Sequence, residues 1–298
     1  MSNAETVDDD ISTVTWDGSL VERDESRTPL EDRIQVKPMA NVPFRAQCVV
    51  VSDDVVDIPD ACFAECKHLV TIKISGSVER IGNYAFAHCT ALTSLVIPHS
   101  VAEIGYSAFL DCAGLATLDI PNSVTAIGYS AFHGCTGLTS LVIPNSVTAI
   151  GYAAFAGCTG LTTLDIPNSF TNTGEYVVSG CTGLTTLNIP NSVTVIGTSA
   201  FFGCTGLTTL VIPNSVTNIG YDAFSGCSGL TTLDIPNSVT EIGTSAFSGC
   251  TGLTTLVIPN SVTTIGDSAF QECTGLTTLG IPTPLQRLEK VPFIAALG

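Results

Sequence analysis

Apolar residues return along this chain with a period of 23. The segment Cys135 to Gly157, CTGLTTLVIPNSVTAIGYAAFAG, is representative. Leu138, Leu141, Ile143, Val147, Ile150 and Phe155 are apolar here and at the equivalent places of nearly every copy, and Cys135 and Ala154 complete the inward set. Leu141-Val142-Ile143 alternates in-out-in, which predicts a short strand. Pro144 ends that strand, because proline has no N–H to give to a central ladder. Asn145, Ser146 and Gly151 supply turn chemistry. The stretch Tyr152 to Cys158 predicts one short helical or 3₁₀ turn that drops Phe155 into the core, with Gly157 stopping it.

One strand and one turn per 23 residues predicts a coil of a right-handed solenoid. The clearest marker of the period is a cysteine, which recurs at Cys66, Cys89, Cys112, Cys135, Cys158, Cys181, Cys204, Cys227, Cys250 and Cys273. Coils spaced by about 4.8 Å would build a parallel sheet roughly 48 Å long. Each coil buries several large apolar side chains, at roughly 1.5–3 kcal/mol apiece. No coil can bury that face alone, so the copies must stack. The cysteines sit among apolar residues and are expected to be buried, reduced thiols acting as small hydrophobes.

Read across copies, the pattern is L-x-x-L-x-I-P-x-x-V-x-x-I-G-x-x-A-F-x-x-C. It resembles the BspA-like, treponemal-type leucine-rich repeat from Cys66 to about Ile281. The resemblance implies a curved solenoid with its strands on the concave side and short turns on the convex side. It also implies adhesion or protein binding, often at cell surfaces.

The ends depart from the repeat. Residues 1–46 are charged and lack periodic apolar positions, and are expected to be an acidic, disordered leader. Trp16 in this leader is a weak candidate docking residue. Val55, Ile58 and Phe63 keep the register of the repeat, so residues 47–65 are expected to form a degenerate N-terminal cap coil. Tandem repeats then fill residues 66–281. Leu285, Leu288 and Phe293 keep register in residues 282–298, where Arg287, Glu289 and Lys290 supply the polarity that a C-terminal cap needs.

Charge removes whole classes of partner. The chain carries 10 Lys+Arg against 27 Asp+Glu, a net charge of −17. From Ile81 to Gln286 there is no Lys or Arg. Nucleic-acid binding needs cations that replace phosphate counterions, and an anionic membrane surface needs a basic patch. Neither partner fits. Membrane insertion is not expected either, because no run approaches the roughly 20 apolar residues of a spanning helix. The acidic start lacks an apolar signal region. On sequence alone the expected location is intracellular, with the cell surface or secretion as the alternative that the family resemblance implies. Self-repulsion favours a monomer.

Catalytic chemistry is sparse: no Ser-His-Asp or Cys-His-Asn arrangement can be built from the spacing, and no glycine-rich phosphate loop follows a strand. No cofactor is implied. Cys62, Cys66 and His68 give C-x₃-C-x-H with His88 one coil later, a weak zinc signal because both cysteines already have core roles.

Three places can carry recognition. The first is the strand face, where Thr117, Thr163 and Thr232 precede Asp119, Asp165 and Asp234, with Asn188 at the same position of another coil. Val96, Val142, Val211 and Val257 alternate with those aspartates. Asp119 and Asp165 lie two coils apart, roughly 10 Å, too far to share a calcium ion bound at about 2.3–2.6 Å. Threonine rows also occur in flat ice binders, but the interposed aspartates and expected concavity argue against that plane. The second place is the row Tyr106, Tyr129, Tyr152, which could anchor an interface or stack on sugars. The third is the irregular coil Cys158 to Gly180, where Phe170 replaces Val, Thr173 replaces Ile and Val178 replaces Phe. The expected function is a non-enzymatic scaffold that binds a protein. The alternatives are an adhesin for carbohydrate or other extracellular ligands, and a structural repeat protein without a specific ligand.

Overall fold

A computed structural model describes residues 13–16 and 46–280. Each repeat forms one coil of a parallel β-solenoid. The strand of each coil is three residues long: Ser94–Val96, Thr117–Asp119, Ser140–Val142 and Thr163–Asp165 are typical. Pairing joins each residue to its counterpart 23 positions on, as in Leu141↔Leu164 and Asp165↔Asn188. In these strands the middle residue is buried and its two neighbours exposed, the alternation expected from a period of 2. An eight-stranded sheet ends at Thr186–Asn188, and a four-stranded one runs from Thr209–Val211 to Thr278–Gly280.

A second ladder, not anticipated from the pattern, follows each proline turn. It is built of two-residue strands such as Glu103–Ile104 and Ala126–Ile127, each supplying one isoleucine to the core.

The convex segment is not helical, contrary to the sequence expectation, and no residue among those described is helical. Two residues per coil take positive φ, for example Ser130 (52°) with Gly134 (72°), and Ala153 (55°) with Gly157 (71°). A left-handed residue turns the next N–H away from the helical direction. Donors therefore alternate between two targets. His133 N–H bonds back to the Ser130 carbonyl at 3.0 Å, whereas Phe132 N–H reaches the Ala154 carbonyl of the next coil at 2.8 Å. The left-handed conformation costs a non-glycine residue roughly 1–2 kcal/mol. The bond from Ser130 N–H to the Tyr152 carbonyl, at 2.9 Å, helps hold it there. The result is a third inter-coil ladder.

Glycine in the Ile-Gly step has a different task. A Cβ on Gly151 would lie 2.4 Å from the Tyr129 nitrogen, so only glycine lets neighbouring coils approach at this corner.

Two stacks run through the core. Phe63, Phe86, Phe109, Phe132 and Phe155 stack face to face with centroids 5.1–5.2 Å apart. Val178 interrupts them, and Phe201, Phe224, Phe247 and Phe270 resume the stack at 5.2–5.4 Å. The second stack is the cysteine row. Cys135 Sγ donates to the Phe109 carbonyl at 3.2 Å, and the same bond, at 3.1–3.4 Å, recurs from Cys89 to Cys273. No disulfide links the twelve cysteines in this structure.

The coil Cys158 to Gly180 disturbs all three layers. The Phe stack lapses at Val178. The short ladder stops at Ala149–Ile150 and restarts at Val195–Ile196, leaving only a bridge between Asn172 and Val195. The main sheet divides one coil later, between Asn188 and Thr209.

Residues 47–65 add Cys48–Val51, Asp57–Ile58 and Phe63 to the same ladders and stack. Within the stretch expected to be disordered, Thr13–Trp16 forms a strand parallel to Cys48–Val51, in register from Thr13↔Cys48 to Trp16↔Val51. Thr-Val-Thr-Trp is rich in β-branched and aromatic residues, which suits an edge strand. It covers an edge that would otherwise be open. The C-terminal cap expected over residues 282–298 lies outside the described residues.

Candidate functional site

Each coil gives the strand face two neighbouring columns. The first holds hydroxyls: Thr117, Ser140, Thr163, Thr186, Thr209, Thr232 and Thr255 are exposed. The threonine just before each strand behaves differently. Thr162 Oγ1 donates to the Thr139 carbonyl at 3.1 Å, and Thr185 Oγ1 to the Thr162 carbonyl at 3.1 Å, which ties coil to coil. Among the described residues, the hydroxyls of Thr117, Thr163 and Thr232 make no bond within the chain, so they remain open to a ligand.

The second column passes through Val50 and Lys73 and continues through Val96, Asp119, Val142, Asp165, Asn188, Val211, Asp234 and Val257. Val96, Val142, Val211 and Val257 are 65–76% exposed, well beyond what a satellite of the core would show. Asn188 Nδ2 donates to Asp165 Oδ1 at 2.5 Å, so this pair is mutually engaged where the Val/Asp alternation breaks. Asp119 and Asp234 have no ion pair or hydrogen bond to any described residue. Seven of the predicted site residues, Thr117, Asp119, Thr163, Asp165, Asn188, Thr232 and Asp234, therefore lie in two adjacent columns of one face.

The other three, Tyr106, Tyr129 and Tyr152, lie on the corner after the Ile-Gly step. Tyr106 and Tyr129 stack at 5.2 Å with planes 14° apart. Tyr152 instead leans on Tyr176, at 4.7 Å and 39°. Sequence comparison missed Tyr176 because it sits one position later than the other three. The signal was there, since Glu175-Tyr176 differs from its neighbours. Partial desolvation, then the Tyr176 hydroxyl beside it, raises the Tyr152 phenol above its ordinary pKa. Beside the row runs a shallow groove of about 510 Å³, floored by Ala126, Ala149 and the corner glycines and reached by Arg80 and Glu103.

The irregular coil compensates its substitutions. Phe170 and Val178 are both buried, and the Thr173 hydroxyl, also buried, accepts from Gly197 N–H at 2.9 Å. Polar Thr173 thus replaces isoleucine without an unpaired group.

Cys62 and Cys66 are buried in the core, whereas His68 is exposed. His88 lies between Glu65 (3.9 Å) and Asp111 (3.4 Å). Burial raises the Cys62 thiol well above its ordinary pKa, which works against metal-binding thiolate there. Among the described residues, no helix is long and apolar enough to cross a membrane.

Comparison with known proteins agrees with this geometry. A family model described as BspA type leucine rich repeat region (6 copies) matches residues 56–185 and 172–296. A leucine-rich repeat protein of T. pallidum is 32% identical with a TM-score of 0.53, over 55% of this chain and 78% of that one. A leucine-rich cell surface protein of Faecalibacterium prausnitzii is 27% identical with a TM-score of 0.49, over 90% and 87%. A leucine-rich repeat protein of Bacteroides ovatus is 25% identical with a TM-score of 0.47, over 82% and 81%. A search of curated protein sequences finds no match.

Proposed function

The chain belongs to the BspA-type leucine-rich repeat family, and on that premise we propose that it is a non-enzymatic scaffold binding another protein through its strand face. The observation that carries this reading is the exposed valine column. Val96, Val142, Val211 and Val257 each present an apolar side chain to water, flanked by hydroxyls with no partner among the described residues. Isolated exposed apolar residues are ordinary, but a regular row of them on one face marks an interaction surface.

The carbohydrate-adhesin alternative relies on the tyrosine row. Sugars stack on the faces of aromatic rings. Tyr106 and Tyr129 turn one face each toward the other, so those two faces are closed to a sugar. That arrangement favours the strand face over the corner. A structural role without a ligand leaves the exposed valines unexplained.

A side-by-side retention experiment tests the reading. The full chain, a Val96→Ser/Val142→Ser/Val211→Ser/Val257→Ser variant and a Tyr106→Ser/Tyr129→Ser/Tyr152→Ser variant are immobilised and exposed to extracts of the source cells and their surroundings. The expected result is a protein retained by the full chain and the tyrosine variant and lost from the valine variant. Retention that survives the valine changes, with unaltered circular dichroism, would sink the strand-face assignment. Retention of glycan alone, abolished by the tyrosine changes, would establish the adhesin instead.

A further inference from the structure

We infer that the occupant of the strand face is a basic amphipathic helix laid along the solenoid axis; this rests on the reading of that face as the binding surface. The second column alternates valine and aspartate at consecutive coils from Val96 to Asp165. Only a segment running along the axis meets that alternation, since one running with the strands crosses a single coil. Its own side chains must then return at the coil spacing of about 4.8 Å.

Backbone geometry discriminates between candidate segments. Residues alternately three and four apart on an α-helix return about every 5.3 Å along its axis. Over the three steps from Val96 to Asp165 such a helix drifts by roughly 1.4 Å, which side-chain flexibility absorbs. Same-side residues of an extended strand return about every 6.6 Å and drift by roughly 5 Å over the same steps, a full coil out of phase. A polyproline II segment repeats about every 9.3 Å and can match the valines. Its three-fold twist, however, turns the intervening residues away from the aspartates.

Charge fixes the chemistry of the helix. Asp119 faces out with no cation among the described residues to neutralise it, and no Lys or Arg occurs from Ile81 to Gln286. The matching helix carries Lys or Arg opposite Asp119 and Asp165 and aliphatic residues opposite Val96 and Val142. Lys73, one coil before Val96 in the same column, repels a further cation there and so marks where the basic run ends.

Three synthetic peptides of equal length and charge, each with the same number of Leu and Lys, separate the possibilities. One alternates Leu and Lys at steps of three and four residues on a helical face. One carries the same residues scrambled, and one places them on a polyproline II frame. Binding to the full chain is read by fluorescence anisotropy at physiological salt. The patterned helix is expected to bind about tenfold or more tighter than either control, and Asp119→Lys/Asp165→Lys is expected to weaken it by about tenfold or more. The milder Asp119→Asn/Asp165→Asn pair guards against misfolding and should give a smaller loss of the same sign. Equal binding of patterned and scrambled peptides overturns the helix, as does a preference for the polyproline frame or no binding by any peptide. If Asp119→Lys/Asp165→Lys nevertheless removes binding of every peptide, the strand-face reading stands without the helix. If it removes none while the peptides still bind, both fall.

Discussion

Raising the pH above 9 is expected to unfold this protein through its own thiols. Nine cysteines, from Cys62 to Cys273, are held above their ordinary pKa. Burial is the leading cause at eight of them, whereas at Cys158 the hydrogen bond with Cys181 comes first. Below about pH 8 the thiols are protonated in both folded and unfolded chains, and nothing is lost. Above that, the unfolded chain gives up protons that the folded chain keeps. Stability then falls with pH until the folded thiols themselves titrate, near pH 11 for Cys273 and later for the more deeply buried rungs. Each such thiol costs a little over 1 kcal/mol per pH unit in that window. Nine together amount to on the order of 10 kcal/mol within one unit, comparable to the roughly 5–15 kcal/mol that holds a typical domain together. Far-UV circular dichroism against pH, with thiolate absorbance followed in the same cuvette, measures this. Loss of structure and thiolate formation should coincide in a steep step. Cys135→Ala should make the step shallower by about one proton while lowering stability at pH 7. A chain that keeps its spectrum to pH 10.5 while its thiols ionise one by one would refute the reasoning, as would rapid labelling of native thiols at pH 8.

Three further outcomes follow from the packing. Phe132→Ala removes a ring stacked on both sides and should cost about 3–5 kcal/mol by urea denaturation, whereas Val178→Ala, in a coil with no aromatic stack, should cost distinctly less; equal losses would deny the stack any role. Gly151→Ala drives a Cβ to 2.4 Å from the Tyr129 nitrogen and should lower the melting temperature by several degrees, while Gly76→Ala, with nothing within 4 Å, should leave it within a degree or two. Deleting residues 1–46 uncovers the edge at Cys48–Val51 and should promote association on size-exclusion chromatography; an unchanged elution volume would mean that the strand Thr13–Trp16 does not guard that edge.

The sequence made the inward positions legible because burial constrains every copy alike. Leu141, Ile143, Val147 and Phe155 are buried where the 23-residue period places them, and Ile150 is half-buried against the same core. The strand-face columns were legible for the opposite reason, since Val, Asp and Asn replace one another only where no core restricts them. Other features were not. The two-residue strands of the second ladder are too short to show a period. The convex turn looked helical because Ala-Ala-Phe-Ala is a good helix former, and nothing in Ser130 or Ala153 announces a left-handed backbone. That conformation is imposed by hydrogen bonds to the next coil, and a single repeat contains no trace of them. Tyr176 was missed because its ring reaches the row from the neighbouring position.

The irregular coil has a consequence for cooperativity. In a stack where each unit touches only its neighbours, stability is a sum of units and of the interfaces between them. Here the coil Cys158 to Gly180 lacks a ring and a stretch of the short ladder, and one coil later the main sheet loses its continuity. No linker, proline cluster or change of composition marks the place. Phe170, Thr173 and Val178 nonetheless mark where the short ladder and the ring stack lapse. The chain is continuous, but order is transmitted along it unevenly, and the coils before and after this joint are expected to melt as two units, read as two transitions in calorimetry; a single transition would show that the hydrogen bonds crossing the joint suffice to couple them.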